Sequence, residues 1–229
     1  MTKTAIITGG SKGLGRALAG ELVGAGWRVV IDGRDGAQVR KAAAETGAVP
    51  VAGDVTDPGH RRQLIEAARR TGRLDVLVNN ASTLGRTPLP VLGAYGLHDL
   101  RGVLETNVVA PLALVQLALP LLSATAGAVV NVTSDAAVEA YEGWGGYGLS
   151  KAALEQLSKV LAVEETGTRV WWFDPGDMRT DMHQEAFVGQ DISDRPEPST
   201  VAPLLRRLIE ERPPSGRVRA SDLTESQPR

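Results

Sequence analysis

The sequence predicts one α/β domain, a doubly wound parallel sheet with helices on both faces, and three observations carry that reading. Short β-branched runs alternate with longer amphipathic segments along the chain. Runs such as Ala5-Ile6-Ile7 and Val29-Val30-Ile31 are apolar throughout, as strands covered on both faces require. A glycine-rich turn falls directly between the first such run and the first amphipathic segment. Strands that alternate with helices imply right-handed βαβ crossovers and hence a parallel sheet.

The elements follow in order. Strands are expected over 4–8, 28–32, 49–53, 74–79, 128–134, 169–174 and, more weakly patterned, 217–220. Helices are expected over 13–25, 36–46, 58–71, 97–124, 147–165 and 199–211. The third strand contains Pro50, which has no N–H for a ladder and favours a sheet edge. In the doubly wound order 3-2-1-4-5-6 the third strand is an edge. Segment 82–96, with Pro88 and Pro90, and segment 177–198, with Pro196 and Pro198, read as surface loops. Residues 224–229 form a polar tail expected to fray, leaving a single domain over 1–223. Trp171 and Trp172, adjacent on a strand, point to opposite faces and are read as core.

At 229 residues the chain can bury one full α/β core. Its 42% hydrophobic and 23% charged residues match an ordinary globular protein, and a net charge of −2 favours neither nucleic acid nor membrane surfaces. Without cysteine there is no disulfide, thiolate metal site or cysteine nucleophile. His60, His98 and His183 show no metal-ligand spacing, so no metal is expected; His60 and His98 are placed on the surface at helix starts. Residues 1–15 do not read as a signal peptide. The longest apolar stretch, 108–122, is broken by Pro111, Gln116 and Pro120, and none reaches the length of a membrane span. A cytoplasmic enzyme or binding protein is expected.

Two clusters carry chemistry. The first strand ends in Thr8-Gly9-Gly10-Ser11-Lys12-Gly13-Leu14-Gly15 and a helix begins there. Glycines at 9, 13 and 15 let the backbone approach a pyrophosphate, with helix N-terminal donors aimed at it. Farther along, Tyr147 and Lys151 lie one helical turn apart, on one face, with Ser134 thirteen residues upstream. An ammonium beside a phenol favours the phenolate, so Lys151 is expected to lower the Tyr147 pKa from about 10 and let it exchange protons near neutral pH.

The turn Gly-x-x-x-Gly-x-Gly together with Tyr-x-x-x-Lys resembles the short-chain dehydrogenase/reductase family, and further motifs appear in family order. Asp54 and Val55 follow the third strand, Asn79-Asn80-Ala81 the fourth, and Asn107 lies within a helix. Ser134 ends the fifth strand, Pro175-Gly176 follows the sixth, and Thr180 comes four residues later. The resemblance spans residues 8–180 and implies a Rossmann-like fold binding a nicotinamide dinucleotide. Tyr147 would be the general acid or base, Ser134 would hold the substrate oxygen, and Lys151 would tune the tyrosine and grip the nicotinamide ribose. Ser11, Gly13, Leu14 and Gly15 would cradle the phosphates, Asp54 and Val55 the adenine. Asn80, Ala81, Pro175, Gly176 and Thr180 would line the nicotinamide end.

Cofactor choice turns on the second strand, Ile31-Asp32-Gly33-Arg34-Asp35. Gly33 aligns with the position where NAD-preferring relatives carry an acid, and Arg34 with the arginine of NADP-dependent ones. A guanidinium grips a 2′-phosphate through paired hydrogen bonds, and Lys12 would be the second cation. NADP(H) is therefore expected and NAD(H) remains the alternative, with Asp32 as the ribose-binding acid if the strand ends one residue earlier. Ser82 departs from the glycine the family usually has after Asn-Asn-Ala, a change read as uninformative about reaction class.

Pro111 has no N–H, so an α-helix here leaves the Asn107 carbonyl without its usual partner. In the family that carbonyl binds a water in a relay to the lysine; a packing kink is the other reading of Pro111. Trp144 and Tyr141 are expected to line the substrate pocket, and 177–198 to form a lid in which His183 touches substrate or surface. The function implied is NADP(H)-linked interconversion of a ketone and a secondary alcohol on a small molecule, with no nucleic acid or membrane partner. A homo-oligomer, dimer or tetramer, is expected through the 108–122 helix. An NAD-linked dehydrogenase and a non-catalytic NADP sensor are the rivals.

Overall fold

A computed structural model describes residues 2–225. Seven strands form one parallel sheet in the order β3-β2-β1-β4-β5-β6-β7. They are β1 (Thr4–Ile7), β2 (Arg28–Gly33), β3 (Val49–Ala52), β4 (Val76–Asn79), β5 (Ala128–Val132), β6 (Arg169–Asp174) and β7 (Gly216–Arg219). Pro50 sits on the edge strand opposite Ile31, where its missing N–H costs no second ladder. The chain reverses direction across the sheet between β1 and β4, which opens a crevice at the carboxyl ends of the strands.

Helices cover both faces. On one, α1 (Gly13–Gly24), α2 (Gly36–Thr46) and α8 (Pro198–Glu211) enclose a core containing Ile7, Leu18, Ile31, Trp171, Phe173 and Leu205. On the other, α3 (Pro58–Arg69), α5 (Ala110–Ala124) and α6 (Gly145–Glu164) pack over Ile6, Val30, Leu77, Val129 and Val170. Trp171 and Trp172 are both buried, as expected of core residues. Helix starts follow local chemistry. The Asp35 carboxylate accepts from the Ala37 and Gln38 N–H groups to cap α2, and Asp57 caps α3 with Pro58 at its first turn.

Five expectations change. The single helix over 97–124 divides into α4 (Leu97–Leu104), a π-helical turn (Glu105–Val109) and α5. The continuous helical run Leu97–Ala124 is nevertheless long and apolar enough to span a membrane. Pro111 fits the first turn of α5 and Pro120 is accommodated within it, so neither shortens the run. Leu114, Val115, Ala118 and Leu122 on its inner face pack into the core. Segment 177–198 is not wholly loop: it contains α7 (Asp181–Ala186), and Ile192 is buried. Thr224, read as tail, belongs to α9 (Ala220–Glu225), and residues 226–229 lie outside the described residues. His60 is not a surface residue; it is buried against Asp32, as described below.

Candidate active site

A cleft of about 1560 Å³ runs along the carboxyl ends of the strands. Of the sequence-assigned set, Gly9, Ser11, Lys12, Gly13, Leu14, Arg34, Asp54, Val55, Asn80 and Ala81 line it toward β1–β3. Ser134, Tyr147, Lys151, Pro175, Gly176 and Thr180 line it toward β5 and β6. Gly15 and Asn107 lie behind the wall rather than on it.

The glycine turn is built by β4. Thr8 Oγ1 accepts from the Asn80 and Ala81 N–H groups at 3.0 Å each, and Asn80 Nδ2 donates to the Thr8 carbonyl at 2.8 Å. Asn80 Nδ2 also donates to the Gly9 carbonyl at 3.2 Å, so this side chain braces the turn. Gly9 has φ +65°, a conformation that favours glycine. At Gly15 the constraint is space: a Cβ there would lie 2.6 Å from both Asn80 Nδ2 and the Gly9 carbonyl oxygen. Lys12 is the N-cap of α1 and no side chain caps that helix, so its first N–H groups stay open to an anion. A glycine cradle opening on an uncapped helix start fits the diphosphate of a dinucleotide.

Asp32 is fixed by the protein itself. It is 1% exposed, its Oδ1 accepts from the Gly9 N–H at 2.6 Å, and its Oδ2 pairs with His60 Nε2 at 2.9 Å. Burial pushes its carboxyl above the usual range, against the hydrogen bonds from His60 and Gly9. Both oxygens are thus engaged, which removes Asp32 as a ribose-binding acid. Arg34, the next side chain outward, is exposed on the cleft wall. At Asp54 burial raises the carboxyl pKa, but hydrogen bonds from Thr56 and the charge of Arg34 outweigh it and hold the group low. Lys12 pairs with Asp181 of α7 at 3.0 Å, and Ser11 Oγ donates to Gln38 at 3.2 Å.

Tyr147 and Lys151 project from the first two turns of α6, and Ser134 stands just beyond β5. Ser134 Oγ donates to Asp135 Oδ1 at 2.9 Å and accepts from the Ala136 N–H at 3.2 Å. Lys151 Nζ donates to the Val132 carbonyl at 2.8 Å and lies 5.4 Å from the centre of the Tyr147 ring. The expected depression of the tyrosine pKa is not found. Burial pushes the Tyr147 phenol up, against hydrogen bonding with the Ser134 and Ser82 hydroxyls. Burial also pushes Lys151 down to about 7, so near neutral pH the lysine exchanges its proton readily and is not a fixed cation beside the phenol.

Asn107 lies in the π-helical turn, where the Ala110 N–H reaches the Glu105 carbonyl. Its side chain is fully engaged. Oδ1 accepts from the Thr83 N–H at 2.9 Å and Ser82 Oγ at 3.2 Å; Nδ2 donates to the Thr83 carbonyl and Ser150 Oγ, each at 2.9 Å. Ser150 Oγ in turn donates to the Tyr147 carbonyl at 2.6 Å. Asn107 thus ties the 82–83 loop to the tyrosine helix, and its side chain has no hydrogen-bonding capacity left for a relay. Ser82, dismissed from sequence, is part of this bracket and bears on the phenol. Its departure from the family glycine was the available signal.

The substrate side is aromatic. Trp144 meets Tyr147 edge-on at 5.7 Å between ring centres and Phe187 at 6.0 Å, while His183 lies 4.7 Å from Phe187. Leu84, Leu89, Ala136, Met182 and Ala186 complete the apolar wall. Tyr141 is also at the mouth, donating to Asp135 Oδ2 at 2.9 Å. Phe187 and Met182 escaped the sequence reading because nothing in 177–198 marks which side chains turn inward.

A family model described as short chain dehydrogenase matches residues 3–191. The chain is 35% identical over 188 residues to an L-fucose dehydrogenase of Rattus norvegicus, covering 80% of this chain and 68% of that protein. It is 32% identical over 199 residues to a sepiapterin reductase of Mus musculus, covering 79% and 76%. A short chain dehydrogenase structure from Shigella flexneri in complex with NADP superposes with a TM-score of 0.88 at 28% identity, covering 96% and 97%.

Proposed function

This chain belongs to the short-chain dehydrogenase family, an oxidoreductase acting between CH–OH and carbonyl groups, and from that premise we propose that it is an NADP(H)-dependent ketone reductase. The observation that carries the reading is convergence: Ser134, Tyr147 and Lys151 meet on one wall of the cleft that also opens on the uncapped start of α1. When bound, the nicotinamide cofactor supplies the hydride. Tyr147 donates the proton to the substrate oxygen, and Ser134 turns from Asp135 to hydrogen-bond that oxygen. Lys151, held near neutrality, returns a proton to the tyrosine and would draw its own from solvent through a water held at the Asn107 main-chain carbonyl. Trp144, Phe187 and Leu84 exclude water around the reacting carbon.

Arg34 and Lys12 would hold a 2′-phosphate, Asp54 and Val55 the adenine, and Thr180 and the Pro175–Gly176 turn the nicotinamide end. The burial of Asp32 favours NADP(H) over NAD(H), because both oxygens of that carboxylate are already engaged within the protein and not open to a ribose diol. Segment 177–198 acts as the lid. Val109 of the π-helical turn, Leu112 of α5, and Val160 and Val163 of α6 are exposed and would pair with a second copy in a cytoplasmic homo-oligomer. Specificity constants for NADPH and NADH, measured with a panel of aryl and alkyl ketones, test the reading. NADPH should be preferred and Tyr147→Phe should abolish turnover; an NADH preference, or an active phenylalanine variant, would overturn it.

A further inference from the structure

Arg217 lies on the last strand, beyond the residues the family model matches, and no sequence motif singles it out. Its guanidinium nonetheless bonds to residues that flank the reacting end of the cleft. Nε donates to Glu155 Oε1 at 2.9 Å, and Nη2 donates to Asp174 Oδ2 at 2.9 Å and to the Ser134 carbonyl at 3.3 Å. Glu155 is one helical turn beyond Lys151 on α6, and its Oε1 also accepts from Thr133 Oγ1 at 2.9 Å. Asp174 Oδ1 accepts from the Gly176 N–H at 3.0 Å. One planar fork therefore joins the main chain of Ser134, the helix of Tyr147 and Lys151, and the Pro175–Gly176 turn.

We propose that Arg217 is a positioning residue for proton transfer, fixing Ser134, the tyrosine helix and the nicotinamide-side turn relative to one another while covering the two carboxylates among them. This rests on the reading of Ser134, Tyr147 and Lys151 as the proton-transfer site. A plain anchor for β7 would need only one partner, whereas this side chain has three acceptors on three elements. Glu155 and Asp174 are buried, with side chains 3% and 7% exposed, so each needs a donor that water does not supply. Lysine cannot span them, because a single ammonium lacks the fork.

The arrangement has an electrostatic consequence. The groups bearing on Tyr147 are Lys151 from its own helix, Asp135 from the turn after β5, Asp174 from β6, and the Ser134 and Ser82 hydroxyls. Burial is the main influence raising the phenol pKa, and the Asp174 and Asp135 charges add to it. Arg217 offsets the Asp174 charge at 2.9 Å.

The test uses the full-length enzyme reducing a ketone with NADPH, beside Tyr147→Phe as a control on the site itself. Arg217→Met should lower kcat about 10- to 100-fold, as expected for reacting groups misplaced by an ångström or less. The NADPH dissociation constant should change less than about threefold, since Arg217 touches none of the residues assigned to the adenosine and diphosphate. The alkaline limb of the kcat profile, where the acid loses its proton, should move up by as much as about one pH unit. Arg217→Met combined with Asp174→Asn should return that limb toward the wild-type position. Arg217→Lys should show a shift of the same sign but smaller, and carries the test if the methionine variant does not fold. A lower melting temperature with wild-type kcat and pH profile would make Arg217 a structural anchor and overturn the proposal. An active Tyr147→Phe variant would instead overturn the site reading beneath it.

Discussion

Lys151→Met should stabilise the cofactor-free protein while removing its activity, and the gain should depend on pH. Lys151 is 2% exposed and its pKa falls from 10.5 to about 7 through burial. At pH values below 7 the ammonium is buried at a cost of about 5 kcal/mol, from 3.5 pKa units at about 1.4 kcal/mol each. Methionine escapes that cost but leaves the Val132 carbonyl without its donor, a loss of about 1–3 kcal/mol. The net gain near pH 6 is therefore about 2–4 kcal/mol. Between pH 7 and 10.5 the unfolded lysine holds a proton that the folded one lacks, so unfolding takes up protons and wild-type stability rises with pH. From about pH 6 to about pH 9 the methionine advantage should shrink by about 3 kcal/mol. Urea unfolding of both proteins at the two pH values measures this, and the other titrating groups cancel in the difference. A variant less stable than wild type near pH 6, or an advantage unchanged with pH, would refute the burial argument.

Three other substitutions probe the rest of the cleft. Arg34→Ala should lower kcat/KM for NADPH about 10- to 100-fold, the worth of charge-assisted hydrogen bonds to a phosphate, and leave NADH unchanged in steady-state assays. Equal losses with both coenzymes would mean Arg34 does not meet a 2′-phosphate. Gly15→Ala drives a Cβ to 2.6 Å from Asn80 Nδ2 and the Gly9 carbonyl, so it should cost about 1–3 kcal/mol of stability and weaken NADPH binding at least about tenfold in a fluorescence titration. His60→Leu should cost about 3–5 kcal/mol in urea unfolding by stranding a buried carboxylate, and Asp32→Asn added to it should recover part of that loss.

The elements read correctly from sequence are those with local causes. Asp35 and Asp57 cap their own helices within three residues, and Pro50 marks an edge by what it lacks. The glycine turn and the Tyr147–Lys151 spacing are equally local, so both are legible without any tertiary contact. What escaped has partners far away in the chain. His60 meets Asp32 across 28 residues, and Arg217 meets Asp174, Glu155 and Ser134 across 43, 62 and 83. No periodicity encodes such pairs, because they depend on which strand ends the sheet brings together. The π-helical turn is intermediate. Pro111 signals a missing bond at Asn107, but a widened turn becomes visible only with the side chain's four partners in the 82–83 loop and α6.

The protonation of Tyr147 and Lys151 shows why spacing alone misleads. Two groups one turn apart in water would share charge as the sequence suggests, since screening by solvent is the only competitor. Inside the wall, desolvation acts on both and exceeds their mutual attraction, so each moves toward its neutral form. The remaining reactive hydroxyl is also occupied, because Ser134 donates its hydrogen bond to Asp135. Every reacting group therefore has a protein partner at rest, and substrate must replace Asp135 as the acceptor at Ser134. A carboxylate is the stronger acceptor, so that exchange opposes binding in the ground state. It becomes favourable as negative charge builds on the substrate oxygen during hydride arrival, when the oxygen competes with the carboxylate on equal terms. Asp135 thus biases the serine toward the transition state rather than the bound ketone, which is the direction that raises kcat.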